Sequence, residues 1–480
     1  MWQPVFMISG FFISLLGFAM LIPASIDIFL EHHPWSPFLS SSIIVLFLGL
    51  SLFFANKTKI NRFSIQQGFL LTSISWTSVA FLSSLPFIFS NAFPSFVDSF
   101  FEAFSGITAT GASVIADIEN LPKSVLLWRS MLNGLGGIGI VIFAIAVMPL
   151  LGVGGMQIFQ RENSDFGEQF MPKMGDIAQR IIYVYLAMFI GCSISFYFGG
   201  MSIFDAINHS LTTISTGGFS TKNNSFAFFN SPTIEFIAII FMILGSLPMS
   251  YYLLMFYNNK NKSLKVAQIK LFLQLVVFYV AIVFSMLVIN ETYNYKEALR
   301  HSAFNVISIM TTTGFSSLNY MNWGNFAAVL FMVFALTGGC TGSTTGSVKI
   351  FRWQALIAYL KNTLTRSSNP NLISQPKTQG ITINDSIINS VLTMISFYML
   401  TLLTVIILLS LNGLPFDVAI SGSIACFTNT GPGIGDLIGP IGNYSTISDF
   451  AKYVLSIAML LGRLEVVTIL VVLSPSFWKN

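Results

Sequence analysis

Residues 96–113 read FVDSFFEAFSGITATGAS, an apolar stretch too short to span a membrane that leads into a Thr-Gly pair. Three further segments share this pattern: FDAINHSLTTISTGGFS (204–220), ALRHSAFNVISIMTTTGFSS (298–317) and LPFDVAISGSIACFTNTGPG (414–433). The four pairs are Thr110-Gly111, Thr216-Gly217, Thr313-Gly314 and Thr430-Gly431, separated by 106, 97 and 117 residues. A single Thr-Gly pair is common in turns, but four at comparable spacing predict a fourfold internal repeat.

The composition indicates the surroundings of these segments. Of 480 residues, 54% are hydrophobic and only 9% are charged, whereas an average soluble domain carries about 25% charged residues. So little charge cannot cover a soluble globule of 52.9 kDa, which argues against a disordered chain, a nucleic-acid-binding protein and an ordinary cytosolic enzyme. The three cysteines and four histidines are scattered and match no disulfide or metal-ligand spacing. We therefore expect no cofactor.

Ten apolar stretches are long enough to cross a membrane. They are residues 4–29, 38–55, 65–90, 125–151, 177–199, 233–257, 266–290, 325–360, 387–411 and 449–473. The sequence thus predicts an all-α polytopic membrane protein, with two leading transmembrane helices followed by four channel-like M1–P–M2 repeats (span, short helix, span) around one pore. The predicted leading segment covers residues 1–60. Four predicted repeats, here the first to fourth units, cover 61–160, 161–260, 261–375 and 376–480, and the third has an interrupted second span.

The loops between the spans differ in basic charge. One set totals 75 residues and holds twelve lysines and arginines, whereas the opposite set totals 146 residues and holds four. The twelve are Lys57, Lys59, Arg62, Arg161, Lys173, Lys260, Lys262, Lys265, Lys361, Arg366, Lys377 and Lys479. By the positive-inside rule the first set is cytoplasmic, which places both termini in the cytoplasm. The four Thr-Gly segments then enter from the outside.

A re-entrant helix followed by extended chain suits a cation path. The negative end of the helix dipole points toward the membrane centre, and rings of backbone carbonyls can replace the water shell of an ion. Glycine allows the required backbone angles and close approach. The predicted filter residues are Ala109, Thr110, Gly111, Ser215, Thr216, Gly217, Thr312, Thr313, Gly314, Asn429, Thr430 and Gly431. The alternative is four extracellular loops with capping glycines.

Polar residues flank the predicted filter. Asp98, Asp205 and Asp417 lie near the starts of three short helices, where they complement the positive helix end. Glu102, Asn208 and Asn305 each lie nine residues before a filter glycine. For this second set, contact with the ion and structural hydrogen bonding both remain open.

The eighth apolar stretch contains a segment that no intact helix would favour. LTGGCTGSTTGSVK (336–349) includes ten successive small residues, and glycine costs a helix about 1 kcal/mol relative to alanine. The ten are Gly338, Gly339, Cys340, Thr341, Gly342, Ser343, Thr344, Thr345, Gly346 and Ser347. Such a break can line a transport path or pack helices closely.

Among the basic residues within the apolar spans, three are considered for a role at the pore or the membrane interface. Arg463 lies inside the tenth stretch, and a positive charge beside a cation path would raise the barrier to permeation. Glu465 is two residues away and does not face it on a helix, so we expect another acidic or carbonyl partner. For Arg129 and Lys452, near helix ends, we expect snorkelling to the interface.

These motifs together resemble the Trk/Ktr/HKT superfamily of potassium transporters, and most closely the bacterial Trk-type membrane subunit. The leading pair (4–55) and the closing LGRLEVVTILVVLSPSFW (461–478) favour the Trk type. The resemblance implies K⁺ uptake across the bacterial cytoplasmic (inner) membrane, one essential glycine per filter loop, a gating loop below the filter and a pore-facing arginine. In this family a serine at the first filter position tends to favour Na⁺. The glycine at that position here, Gly111, therefore favours K⁺. Pro432 and Gly433 depart from the other loops.

The resemblance also implies a homodimer and a separate cytosolic nucleotide-binding regulatory subunit. The chain has no GxGxxG in a strand–helix context, and its basic inner loops can also bind anionic membrane lipid. Three alternatives remain open: Na⁺-selective or mixed transport in the same fold, a secondary transporter for another small solute, and a membrane-embedded enzyme. The enzyme lacks a matched acid–base pair.

Overall fold

Helices make up most of the part of the chain that the computed structural model describes, namely residues 2–30, 36–58, 64–146, 174–256, 267–369, 371, 374–378 and 381–479. They are α1 (Gln3–Ala19), α2 (Leu21–Leu30), α3 (Ser36–Ala55), α4 (Ile65–Leu82), α5 (Leu85–Phe89), α6 (Phe96–Ile107), α7 (Lys123–Ala146), α8 (Met174–Phe198), α9 (Ile203–Ile214), α10 (Pro232–Ser246), α11 (Met249–Phe256), α12 (Ala267–Ile289), α13 (Tyr295–Met310), α14 (Asn325–Ala335), α15 (Ile350–Ser368), α16 (Asp385–Leu411), α17 (Phe416–Phe427), α18 (Asp449–Arg463) and α19 (Val467–Leu473). This confirms the predicted all-α class.

Seven helical segments in the described ranges are long and apolar enough to cross a membrane. They are Gln3–Ile28, Ser36–Ala55, Ile65–Phe89, Lys123–Phe143, Ala178–Phe198, Gln268–Ile289 and Asp385–Leu411. The predicted span at 233–257 is instead divided into α10 and α11, whereas the stretch at 325–360 is divided into α14 and α15 at the interruption predicted for it. The first break falls at Pro248, where proline removes a helix hydrogen bond.

The tenth predicted span is also broken, and this break was not predicted from the sequence. α18 ends at Arg463 and α19 begins at Val467, with the two helices bent by 108°. Glu465 between them has a φ of 57°. A Cβ on Gly462 would lie 1.9 Å from the Phe427 carbonyl oxygen, so α18 is pressed against the end of α17 just before the break.

The four short helices form where the apolar segments were predicted. Ser95, Ser202 and Asn294 cap α6, α9 and α13 by accepting a backbone N–H of the first turn. Asp98, Asp205 and Asp417 lie in first turns as predicted, and Glu297 does so in α13. Capping by a neutral side chain together with an acidic first turn thus determines where three of these helices begin.

The leading helices α1 and α3 pack through small residues. A Cβ on Gly10 would lie 2.7 Å from the Gly49 carbonyl oxygen, and one on Gly49 would lie 2.6 Å from the Ser14 backbone nitrogen. Such close backbone approach is typical of helix pairs in membranes. Within the predicted inner loop 361–386, the short strands β1 (Lys377–Thr378) and β2 (Ile381–Thr382) pair antiparallel. This hairpin was not predicted.

Much of the predicted inner charge lies outside the described residues. Lys59, Arg62, Arg161, Lys173, Lys260, Lys262 and Lys265 all fall there. The same holds for the repeat boundaries predicted at residues 60, 160 and 260. The orientation in the membrane and these boundaries therefore stay predictions.

Candidate ion pathway

The chain after each short helix adopts one backbone conformation four times. One residue beyond the helix cap has a φ of 51° to 56°, and two residues further a glycine has a φ of 74° to 97°. The first set is Ala109, Thr216, Thr312 and Asn429, and the second is Gly111, Gly218, Gly314 and Gly431. Positive φ at four non-glycine residues is strained and typical of functional sites. We call these segments return strands 1 to 4.

The structure shifts the register predicted for return strand 2 by one residue. In backbone angle, Gly218 rather than Gly217 corresponds to Gly111. The residue before each of these glycines donates its N–H to the carbonyl five residues back, at 2.8–2.9 Å. These donors are Thr110, Gly217, Thr313 and Thr430. Alignment by Thr-Gly pairs fails here because the second loop has two consecutive glycines.

The four return strands touch one another in a closed cycle. A Cβ on Gly111 would lie 2.3 Å from the Gly217 carbonyl oxygen, and one on Gly218 would lie 1.9 Å from that of Thr313. Likewise, a Cβ on Gly314 would meet the Thr430 oxygen at 2.0 Å, and one on Gly431 would meet the Thr110 oxygen at 2.5 Å. Each glycine therefore faces the same carbonyl of the adjoining strand. No side chain fits at these four positions without displacing backbone.

Glycines also lie beneath the carboxyl ends of three short helices. A Cβ added to Gly136 of α7 would lie 1.8 Å from the Ile107 carbonyl oxygen. One added to Gly245 of α10 would lie 3.0 Å from the Ile214 carbonyl oxygen. Gly462 of α18 stands in the same relation to Phe427. Helix carboxyl ends carry partial negative charge. Three such helix ends are therefore packed directly against glycines of α7, α10 and α18.

Side chains of the short helices hold the return strands from behind. Glu102 Oε2 accepts the Val114 N–H at 3.0 Å, and Asn305 Oδ1 accepts the Ser317 N–H at 3.3 Å. In the second unit the corresponding residue is His209, not the predicted Asn208, because of the register shift; its Nε2 lies 2.9 Å from Ser220 Oγ. Asn208 instead donates to the Phe204 carbonyl within its own helix. These side chains are structural hydrogen-bonding groups.

Arg129 does not snorkel, contrary to the prediction. It is 1% exposed and its Nε donates to Glu102 Oε1 at 2.7 Å, while Nη1 donates to the Ser220 carbonyl at 3.0 Å. Its guanidinium also lies 4.2 Å from the centre of the Phe219 ring. A buried carboxylate from α6 and a carbonyl of the second unit thus replace the membrane interface as its partners. Arg129 links return strands 1 and 2.

Lys452 does not snorkel either. It is 4% exposed, its Nζ lies 2.7 Å from Asp98 Oδ1, and it donates to the Ser445 carbonyl at 3.1 Å. This pair joins α18 of the fourth unit to α6 of the first. Arg300 and Glu235 similarly join α13 to α10, at 2.6 Å. The sequence could not reveal these pairs, because their members are distant in the chain.

We expect Arg129→Ala to destabilise the protein by about 3–5 kcal/mol, because it leaves the Glu102 carboxylate buried without its charge partner. The measurement is the unfolding midpoint of the purified protein in detergent. Lys222→Ala is the matched control: Lys222 lies 3.9 Å from Asp205 but is 21% exposed, and such pairs contribute about 0–1 kcal/mol. Equal effects of the two substitutions would contradict this role of Arg129.

Residues 338–347 form an irregular, fully buried segment directly against the return strands. Thr344 Oγ1 donates to the Ile214 and Gly245 carbonyls at 3.0 Å. The Gly346 N–H donates to Thr312 Oγ1 at 2.7 Å, and a Cβ on Gly346 would lie 2.2 Å from the Thr428 oxygen. The segment, here the intramembrane loop, thus contacts the second, third and fourth units at once.

Arg463 holds this loop from the opposite side. It is 3% exposed, and its Nη1 donates to the Thr344 carbonyl at 2.8 Å while Nη2 donates to the Gly136 carbonyl at 3.4 Å. An acidic or carbonyl partner other than Glu465 was expected for it, and the partners are two backbone carbonyls. Glu465 pairs instead with Arg352 of α15. Arg352 was not predicted from the sequence, because its partner is 113 residues away.

Hydrogen bonds lower the pKa of one carboxylate near the predicted outer end. Asp117 follows return strand 1 and accepts hydrogen bonds from Asn223 Nδ2 at 3.2 Å and Asn120 Nδ2 at 2.6 Å. These bonds, first that of Asn223 and then that of Asn120, lower the pKa of Asp117 below its usual value of 3.8. Asp117 is ionised at ordinary pH even at its usual pKa, and the lowered pKa extends this negative charge to lower pH. A negative charge at this place attracts cations.

A bundle of apolar helices around a buried cycle of extended backbone defines a multi-pass membrane transport protein rather than an enzyme. Residues 36–480 match the TrkH family, described as "Cation transport protein". The chain belongs to this family. It is 33% identical over 481 residues to the Trk system potassium uptake protein TrkI of Halomonas elongata, covering all of this chain and 97% of that protein.

Two further comparisons agree. The Trk system potassium uptake protein TrkH of Escherichia coli K12 is 32% identical over 484 residues, with 98% of each chain covered. The crystal structure of the potassium transporter TrkH from Vibrio parahaemolyticus matches all of both chains, with a TM-score of 0.91 and 31% sequence identity. The chain is therefore similar to these proteins over its whole length.

Proposed function

We propose that the protein takes up K⁺ through a selectivity filter formed by the four return strands. The observation that carries this proposal is the closed cycle in which Gly111, Gly218, Gly314 and Gly431 each face a carbonyl of the adjoining strand. Carbonyl rings can replace the hydration shell of K⁺. The names of the relatives, all Trk system potassium uptake proteins, support K⁺ as the ion.

The filter in this proposal contains the residues predicted from the sequence together with Gly218. We place the glycine role in the second unit at Gly218, and Gly217 supplies its carbonyl at the level of Thr110, Thr313 and Thr430. The Gly111 position carries no serine in any unit, which supports K⁺ over Na⁺. Sodium-selective or mixed transport is the remaining alternative within the same fold.

We further propose that the intramembrane loop closes the path below the filter, together with Arg463. Support comes from the hydrogen bonds that the loop makes with the second and third units and from the bond between Arg463 and Thr344. A guanidinium at this place would oppose a passing cation. Movement of the loop would then open the path.

The surroundings are proposed from the charge pattern and the family. We infer a bacterial cytoplasmic membrane with both termini cytoplasmic, a homodimer, and a separate cytosolic nucleotide-binding subunit that docks on the basic inner face. The excess of basic residues in one set of loops supports the orientation. The same basic loops would bind anionic lipid.

Flux assays with the protein in lipid vesicles test the proposed function. We expect K⁺ and Rb⁺ to cross faster than Na⁺ and Li⁺, because a carbonyl ring suited to K⁺ coordinates the smaller ions less well. Equal rates for K⁺ and Na⁺, or faster Na⁺, would favour the sodium or mixed alternative. Absence of any cation flux from an opened variant would contradict ion transport and favour another solute.

A further inference from the structure

Return strand 2 lacks a side-chain hydroxyl that the other three strands have. In those strands two threonine hydroxyls lie 2.7–2.8 Å apart. The pairs are Thr108 with Thr110, Thr311 with Thr313, and Thr428 with Thr430. In strand 2 the corresponding residues are Ser215 and Gly217, and the Ser215 hydroxyl donates to the Thr212 carbonyl at 3.2 Å. The second quarter of the cycle therefore differs from the rest.

The side chain of Asn133 fills the space behind this strand. A Cβ on Gly217 would lie 2.5 Å from Asn133 Nδ2, 2.6 Å from its Cγ and 3.0 Å from its Cβ. Gly217 does not have a positive φ, unlike Gly218 with 74°. The two positions thus require glycine for different reasons. Position 218 requires glycine because of its backbone angle and the nearby Thr313 carbonyl. Position 217 requires glycine because the Asn133 side chain occupies the space that a Cβ would need.

Asn133 is an unusual residue for this place. It is 0% exposed, and neither its Nδ2 nor its Oδ1 makes a hydrogen bond within the described part of the chain. An unpaired buried amide costs stability, so an apolar side chain would stabilise α7 more. The residues three positions before Gly245 and Gly462 are Met242 and Met459, both apolar. At this position α7 therefore carries an amide where α10 and α18 carry an apolar side chain.

We propose that Asn133 is a positioning residue for return strand 2, whose amide occupies the place that a threonine side chain takes behind each of the other three strands. By packing on Gly217, it holds the Gly217 carbonyl at the level of the other three, where it faces Gly111. This inference rests on the proposed filter. It explains how one quarter of the cycle keeps its geometry with a different pair of residues.

A double-mutant cycle tests the pair, with the K⁺/Na⁺ flux ratio in vesicles as the readout. Gly217→Thr clashes with Asn133, and Asn133→Ala leaves strand 2 unsupported, so each should lower the ratio by about tenfold. The double variant Asn133→Ala with Gly217→Thr rebuilds the arrangement of the other strands, so its ratio should return to within about threefold of the wild type. Protein amount in the membrane is measured for each variant.

Two comparisons complete the test. Met242→Ala, the matched truncation on α10, removes a buried side chain other than the one packed on Gly217 and should leave the ratio unchanged. Gly217→Ser, a smaller substitution, serves if Gly217→Thr does not reach the membrane. A double variant no better than its worse single variant would overturn the pairing, while a lowered ratio in Gly218→Ser would keep the filter. An unaltered ratio in Gly218→Ser would overturn both proposals.

Discussion

Gly218→Ala should remove most K⁺ uptake, by at least about tenfold, because the added Cβ would lie 1.9 Å from the Thr313 carbonyl oxygen. This contact adds to the cost of about 1–2 kcal/mol that a left-handed backbone has for a non-glycine residue. That contact joins return strands 2 and 3, so the methyl group must open the cycle. The measurement is ⁸⁶Rb⁺ uptake, normalised to the amount of protein in the membrane.

Gly413→Ala is the matched control for this substitution. Gly413 has a φ of 81°, close to the 74° of Gly218, but nothing lies within 4 Å of the position of its Cβ. It therefore carries the backbone cost without the contact to a carbonyl, and uptake should stay close to wild type. If both alanine variants reduced uptake equally, the effect would come from backbone strain in general, and the importance of the cycle would be contradicted.

Arg463→Ala should raise cation flux through the unstimulated protein by about tenfold or more, since each 1.36 kcal/mol taken off a barrier gives a factor of ten. The substitution removes a buried positive charge and the hydrogen bond to the Thr344 carbonyl that holds the intramembrane loop. Both losses favour an open path. Flux from vesicles without any added partner protein is the appropriate measurement.

Two further variants make the gating test specific. Deleting residues 338–347 should raise flux in the same way, because it removes the segment that contacts the second, third and fourth units. Arg366→Ala is the control, since Arg366 is an exposed arginine in the last turn of α15 and should leave flux unchanged. Unchanged flux after both the deletion and Arg463→Ala would show that neither blocks the path.

Much of the fold follows from local sequence. The apolar runs and the interrupting small residues of 338–347 suffice to predict most spans and the irregular loop, since glycine and serine disfavour helices. The four Thr-Gly segments predict short helices that end where the chain becomes extended. Acidic residues such as Asp98 and Asp205 lie in the first helical turns as electrostatics requires.

The predictions that were wrong concern residues whose position depends on tertiary contacts. Gly217 and Gly218 are indistinguishable in the sequence, and only backbone angles and the N–H bond from Gly217 to the Thr212 carbonyl decide the register. The partner of Arg129 is Glu102, 27 residues away, so local patterns indicated an interfacial residue instead. No proline marks the break after Arg463. The glycine next to it, Gly462, is needed because α18 packs closely against the end of α17.

Locating the bound ion tests the central claim most directly. Crystals or vitrified particles of the protein with Rb⁺ or Tl⁺ in place of K⁺ would reveal the ion by its scattering. The account predicts density at the centre of the cycle, coordinated by the carbonyl oxygens of Thr110, Gly217, Thr313 and Thr430. Ions bound only outside this cycle, with its centre occupied by side chains or closed by backbone, would contradict it.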